Sequence, residues 1–170
     1  MKEKKHTTYL VEAAIIAALY VVLTWLANLA GLANGVIQVR LSEALTILPL
    51  FTISAVPGLT VGCILANILT GCAPWDVVFG SLATLIGAVG TYLIGRFVKN
   101  RSVKEWTAPL PPILSNTLIV PWILALVYGA TEGIPFLMLT VGIGEVISAG
   151  ILGLLLYMAL KPRAKQIFQI

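Results

Sequence analysis

Six apolar stretches, parted only by short polar or Pro/Gly breaks, constrain this chain more than any motif in it. They fall at approximately 9–29, 43–55, 57–70, 76–97, 112–128 and 135–160, the second and third being short and separated by the tight break "ISAVPGL". A helix that crosses the hydrocarbon core of a bilayer needs about 20 predominantly apolar residues. Hydrophobic residues make up 59% of the sequence and charged residues 11%, whereas soluble domains are about half apolar. The pattern predicts an all-α integral membrane protein, a six-helix transmembrane bundle forming a single domain over residues 1–170. The start "MKEKKHTTY" is basic, but the apolar stretch behind it exceeds the short core of a signal peptide, so the first helix is expected to be retained.

Charge placement orients the bundle. With the N-terminus in the cytoplasm, Lys2, Lys4, Lys5, Arg96, Lys99, Arg101, Lys104, Lys161, Arg163 and Lys165 fall inside, and Arg40 alone falls outside. Such an asymmetry follows the positive-inside rule and requires an even number of spans, with both termini cytoplasmic. The net charge of +4 is thereby explained by the bilayer and gives no reason to expect nucleic acid. Cys63 and Cys72 lie nine residues apart in one apolar stretch, too far along a helix for a disulfide, and they have no His or Cys neighbours with which to hold a metal. No G-x-x-x-x-G-K-[ST] occurs, so the chain carries no P-loop of its own. The single histidine, His6, lies in the N-terminal tail, away from any acid–base constellation. No catalytic residue, metal or cofactor is expected.

Polar residues inside apolar stretches are costly and therefore informative. Glu145 sits ten residues into the last stretch, near mid-membrane at about 1.5 Å per residue. Gly142, Ser148 and Ala149 share its helical face; such small residues admit either a ligand or a closely packed neighbouring helix. Asn67, Trp75, Asp76, Asn116, Tyr128 and Glu132 are the groups that could join it toward the outer side. Each has an ordinary alternative: interfacial belt for Trp75 and Tyr128, interhelical hydrogen bonds for Asn67 and Asn116, a helix N-terminus for Asp76. Taken together, carboxylates, amides and aromatic rings with one arginine suit a flat solute rich in N–H donors, or a cation. A carboxylate can accept two hydrogen bonds from adjacent N–H groups on a guanine-like edge.

Arg40 and Glu43, in "VRLSE", stand three residues apart. They form either a local pair of little energetic weight or part of a loop across the outer mouth, with Arg40 pinning the loop and Glu43 facing the solute. On the first helix, Ala13/Ala17 and Ala14/Ala18 make two overlapping small-xxx-small pairs that let another helix approach, within the chain or in a partner.

The stretch "VRLSEALTILPLFTISAVPGLTVGCILANILTGCAPWDVVFGSLATLIGA", from Val39 to Ala88, resembles the signature region of the QueT family of queuosine-precursor transporters, which are substrate-binding S components of energy-coupling factor (ECF) importers. The family's motif residues are matched by Arg40, Ser42, Glu43, Asn67 and Asp76, while "FTISA" stands where the family pattern carries a further proline. The resemblance implies an S-component-like six-helix bundle in a prokaryotic plasma membrane that captures a 7-deazaguanine, 7-aminomethyl-7-deazaguanine or queuine, from outside. It further implies a transmembrane coupling protein and two cytoplasmic ATPase subunits as partners, with Ala13, Ala14, Ala17 and Ala18 at the coupling contact. The expected substrate-binding set is Arg40, Glu43, Asn67, Trp75, Asp76, Asn116, Tyr128 and Glu145. A stand-alone carrier or channel for a small heterocycle is the alternative reading, and a membrane enzyme a more distant one.

Overall fold

The structure, a computed structural model, describes residues 2–32 and 37–168. It is helical throughout, and four of its helices, at His6–Leu29, Pro74–Phe97, Arg101–Leu126 and Ile134–Arg163, are long and apolar enough to cross a membrane. The bundle is apolar outside and polar inside. Leu10, Ile15, Trp25, Leu69, Leu93, Leu126 and Leu139 are exposed, while Ser42, Glu43, Asn67, Asp76, Asn116 and Glu145 are buried. A surface of that kind is at ease only against lipid, and some of the inward polar groups meet across helices, as Tyr20 meets Glu43 and Asn67 meets the Asp76 carbonyl.

Helix α1 (Lys2–Leu29) and helix α2 (Ala55–Leu69) pack along a seam of small residues. A Cβ added at Gly58 would lie 2.7 Å from the Ala13 carbonyl oxygen, and one at Gly62 would lie 3.0 Å from the Ala17 Cα. Gly58 and Gly62 are thus a G-x-x-x-G facing Ala13 and Ala17, and the backbones meet because neither side offers bulk. Ala17 is buried in that seam, whereas Ala14 and Ala18 are exposed on the outer face of α1. The expectation that both alanine pairs face a partner is corrected accordingly, since Ala13 and Ala17 are occupied by the chain's own α2.

The second stretch is not an α-helix over 43–55. It is a 3₁₀ helix, Leu41–Leu50, with Pro49 inside it. Proline removes a donor and crowds the carbonyl of the preceding turn in an α-helix; the narrower 3₁₀ form also rises about 2.0 Å per residue, so ten residues reach about 20 Å. This thin element is the axle of the bundle, packed against α1, α2, helix α3 (Pro74–Phe97) and the last helix, with Glu43, Thr46, Ile47 and Leu48 all buried. The chain turns at residues 51–54, earlier than the expected break, which leaves Pro57 in the first turn of α2, where its missing N–H costs nothing. In that turn Thr52 Oγ1 donates to Glu12 on α1 (2.8 Å).

Helix α4 (Arg101–Thr107) was not expected in the polar stretch before the fifth span. Asn100 caps it by accepting from the Val103 N–H (3.3 Å), and Glu105 ties it to the last helix, accepting from Lys161 Nζ (2.6 Å) and the Tyr157 hydroxyl (3.1 Å). Helix α5 (Leu110–Leu126) crosses α3 where Pro111 and Pro112 sit on Gly90 and Gly87. The last span begins as α6 (Ile134–Glu145), passes through a π-helical segment (Val146–Leu152) and finishes as α7 (Gly153–Leu160). Arg96, Lys99, Arg101, Lys104, Lys161 and Arg163 gather at one end of the bundle, and Arg40 lies toward the other. The side chains of Lys2, Lys4, Lys5 and Lys165, expected at the basic end, lie outside the described residues.

Candidate binding site

At the end opposite α4 the helices part around a cavity of about 390 Å³. Its wall takes Thr24 from α1, Asn67 and Thr70 from α2, Asp76 from α3, Leu124 and Tyr128 from the end of α5, and Gln38 and Arg40 from the extended strap at 37–40. Local chain chemistry brings these groups to the rim. Gly71 (φ 75°) and Gly129 (φ 68°) end α2 and α5 in the left-handed region that favours glycine, and the chain folds back beside Asn67 and Tyr128. Pro74 opens α3, placing Asp76 in its first turn, where the helix N-terminus favours a negative charge.

Asp76 is buried, and its Oδ2 accepts from the Tyr128 hydroxyl (3.1 Å), which in turn accepts from the Ala73 N–H (3.0 Å). Asn67 Nδ2 donates to the Asp76 backbone carbonyl (3.4 Å) and lies near Cys63 Sγ (3.6 Å). Burial pushes the Tyr128 phenol up to about 12, so the hydroxyl keeps its proton at physiological pH.

Arg40 is held from both sides. Its backbone N–H donates to Ser148 Oγ in the π segment (3.1 Å). Two residues earlier, the Gln38 carbonyl lies only 2.1 Å from where a Cβ on Gly144 would stand, so the strap rests directly on the α6 backbone. Among the described residues both ion pairs closer than 4.0 Å are on Glu105. Arg40 instead lines the cavity together with Asp76, and its charge acts on the buried Glu43 and Glu145.

Beneath the cavity Glu43 and Glu145 are 1% and 7% exposed. The Tyr20 hydroxyl donates to Glu43 Oε1, and the neighbouring Ser42 Oγ accepts from Thr24 Oγ1 (2.8 Å). The Asn116 amide stands beside both carboxylates. Among the described residues Glu43 Oε2, Ser81 Oγ, Asn116 Nδ2, Thr117 Oγ1 and Glu145 Oε2 are buried without a hydrogen-bond partner. Buried polar groups are normally paired, which makes the unmet atoms of Glu43, Glu145 and Asn116, neighbours of one another, candidates for contact with another molecule.

Of the residues expected from sequence, Arg40, Asn67, Asp76 and Tyr128 line the cavity, and Glu43, Asn116 and Glu145 lie below it around Arg40. Trp75 is not among them. It is 61% exposed, stacks on Phe79 (centroids 6.0 Å apart) and lines an apolar groove of about 720 Å³ on the outer surface between α3 and α5. Glu132 is exposed at a separate recess. Tyr20, Thr24, Gln38 and Ser81 were not singled out. For the first two a signal existed, because Ala13, Ala17, Tyr20, Thr24 and Ala27 recur at alternating steps of four and three, the spacing of one helix face.

The family model described as "QueT transporter" matches residues 10–162. A curated relative, "Queuosine precursor transporter QueT" of Lactococcus lactis subsp. cremoris (strain MG1363), is 40% identical over 97 residues. That match takes in 55% of this chain and 56% of the relative, so the chain spans about half the length of the curated relative it matches. No solved structure matches the chain. With nine-tenths of the sequence inside the family model and four membrane-crossing helices around a polar interior, this multi-pass membrane protein belongs to the QueT transporter family.

Proposed function

We propose that the chain is the substrate-binding subunit of an energy-coupling factor importer and that it captures a queuosine precursor, 7-aminomethyl-7-deazaguanine before queuine. One observation carries the reading: in a transporter-family bundle Arg40 and Asp76 line a polar cavity, and the buried Glu43 and Glu145 interact with the same guanidinium, the cation of that cluster among the described residues. A site with surplus negative charge and unpaired acceptors favours a ligand that brings N–H donors and a positive charge. In this reading Glu43 or Glu145 takes the guanine-like edge with two parallel hydrogen bonds, Asn116 and Asn67 supply amide contacts, and Asp76 faces the aminomethyl cation. Tyr128, the aromatic residue on the cavity wall, takes the stacking role, and Trp75 has none. The name of the curated relative supports the substrate class.

The reading includes a transmembrane coupling protein and two cytoplasmic ATPases, with the exposed Ala14 and Ala18 as the contact on α1, and a prokaryotic plasma membrane with both termini inside. Reconstitution tests it. Vesicles carrying this chain alone should bind labelled 7-aminomethyl-7-deazaguanine without accumulating it, and accumulation should appear with ATP once the coupling protein and ATPases are added. Accumulation by the chain alone would make it a self-sufficient carrier and overturn the proposal.

A further inference from the structure

The loop between α5 and α6 bounds a second space beside the cavity. Gly129 (φ 68°) turns the chain after α5, and the Ala130 N–H donates back to the Leu124 carbonyl (2.9 Å), which folds the loop over the end of that helix. Between the loop, α6 and the strap lies the recess of about 170 Å³ that holds Glu132. Gln38 and Leu124 line this recess and the cavity alike, so the two spaces adjoin, with these residues at their common boundary. Ligand sites begin at about 300 Å³; the recess is too small for a heterocycle and reads as an extension of the cavity. At about 30 Å³ per water it has the bulk of about six waters, which a five-membered ring carrying two hydroxyl groups matches.

The lining has two characters. Leu137 and Val141 on α6 are buried and apolar, whereas Thr140, also buried, and the exposed Glu132 are polar. The Thr140 hydroxyl donates to the Leu137 carbonyl (3.1 Å), which leaves its oxygen to accept. Among the described residues no lysine or arginine lies within 4.0 Å of Glu132. Two hydroxyls on neighbouring ring carbons can donate in parallel to the two oxygens of one carboxylate. We propose that the recess is a subsite for a hydroxylated ring carried on the ligand's amine, with Glu132 and Thr140 accepting from its hydroxyls and Leu137 and Val141 packing on its hydrocarbon. The inference rests on the reading of the cavity as a deazaguanine site and deepens it. The aminomethyl compound occupies the cavity alone; queuine, whose amine bears a dihydroxycyclopentenyl ring, extends past Gln38 into the recess. Glu132 thus reads the substituent and takes no part in reading the base.

Calorimetric titration of the full chain in lipid nanodiscs tests the subsite with three compounds: 7-aminomethyl-7-deazaguanine, queuine, and the queuine analogue whose ring lacks both hydroxyls. The parent should bind all three, queuine about tenfold more tightly than the analogue. Glu132→Ala, at an exposed position, should lower queuine affinity about tenfold and leave the aminomethyl compound and the hydroxyl-free analogue within about twofold of the parent. A loss confined to the compound with hydroxyls is the coupling that a contact produces and a general disturbance of the fold does not. Ala130→Phe, which puts a ring into the recess, should weaken queuine and the analogue alike and spare the aminomethyl compound. A parent that binds the aminomethyl compound but not queuine overturns the subsite. So does a queuine affinity unchanged in Glu132→Ala, or one that falls equally with that of the hydroxyl-free analogue. In each of these results the cavity reading stands on the aminomethyl compound. Binding of none of the three by a folded parent removes the cavity reading itself, and the subsite with it.

Discussion

Tyr128 links the rim of the cavity to its charge, donating to Asp76 and accepting from the Ala73 N–H. Tyr128→Phe should therefore lower stability by about 1 kcal/mol, the usual net contribution of a hydrogen bond, and weaken binding of the deazaguanine amine by about fivefold. Thermal melts and calorimetry measure the two. Because burial pushes the phenol up to about 12, its own titration should add nothing to binding between pH 8 and 10, where the curves of Tyr128→Phe and the parent should run parallel. At this scale the sequence is legible where a residue is expensive. Glu43, Asn67, Asp76, Asn116 and Glu145 stand out because an amide or carboxylate within an apolar helix needs a reason to be there. Tyr20 does not stand out, since a tyrosine among leucines is at home facing lipid, and only its place on the Ala13/Ala17 face distinguishes it. Trp75 misleads for a related reason: neighbours in sequence lie about 100° apart around a helix, so next to Asp76 in the chain means away from it in space.

Element by element, the short pieces carry the surprises. The long spans are readable from hydrophobic length, and their ends fall within two residues of expectation except at the start of α1, which reaches Lys2 where residue 9 was expected. The 3₁₀ axle, the π segment and α4 are not readable that way, because hydropathy reports burial in lipid and says nothing of which backbone hydrogen bond a helix uses. Pro49 in "ILPL" and the glycines of "VGIGE" were the available hints. The π segment follows Glu145 directly and presents Ser148 to the strap, in keeping with the frequent appearance of such segments at functional sites. Gly144→Ala should push the Gln38 carbonyl away and displace Arg40 with it. The expected outcome is a loss of about 1–3 kcal/mol in stability and a fall in ligand affinity of tenfold or more, while Gly150→Ala, whose Cβ would meet ordinary contacts at 3.7 Å, leaves affinity unchanged. On the other side of the bundle, Gly62→Ile should separate α1 from α2, since even a Cβ there lies 2.8 Å from the Tyr20 Cβ. Reduced thermal stability in detergent would register it, and a parent-like melt would contradict the packing account.

For the molecule as a whole, hydropathy was sufficient to predict a helical membrane bundle, and charge distribution to predict a basic end. What one sequence could not supply was the division of labour between the alanine pairs on α1, because each pair is equally small and only the partner helix shows which is taken. That division yields a prediction about assembly. If the chain works with a coupling protein as proposed, Ala14→Trp adds bulk to an exposed face and should block that complex while leaving ligand binding at parent level, whereas Ala17→Trp should disrupt the bundle itself. Co-purification and calorimetry on the same preparations separate the two effects; loss of binding in Ala14→Trp would place that residue in the fold and not at a contact.

The central claim is that the cavity around Arg40 takes a deazaguanine bearing a cation. The most direct measurement is a calorimetric titration of the purified, folded protein with 7-aminomethyl-7-deazaguanine, its 7-cyano analogue, queuine and guanine, repeated on Glu43→Gln. Saturable binding of the aminomethyl compound, with the nitrile and guanine much weaker and the preference reduced by at least tenfold in Glu43→Gln, is the predicted result. Equal affinity for amine and nitrile, or no binding of any of the four, would contradict it.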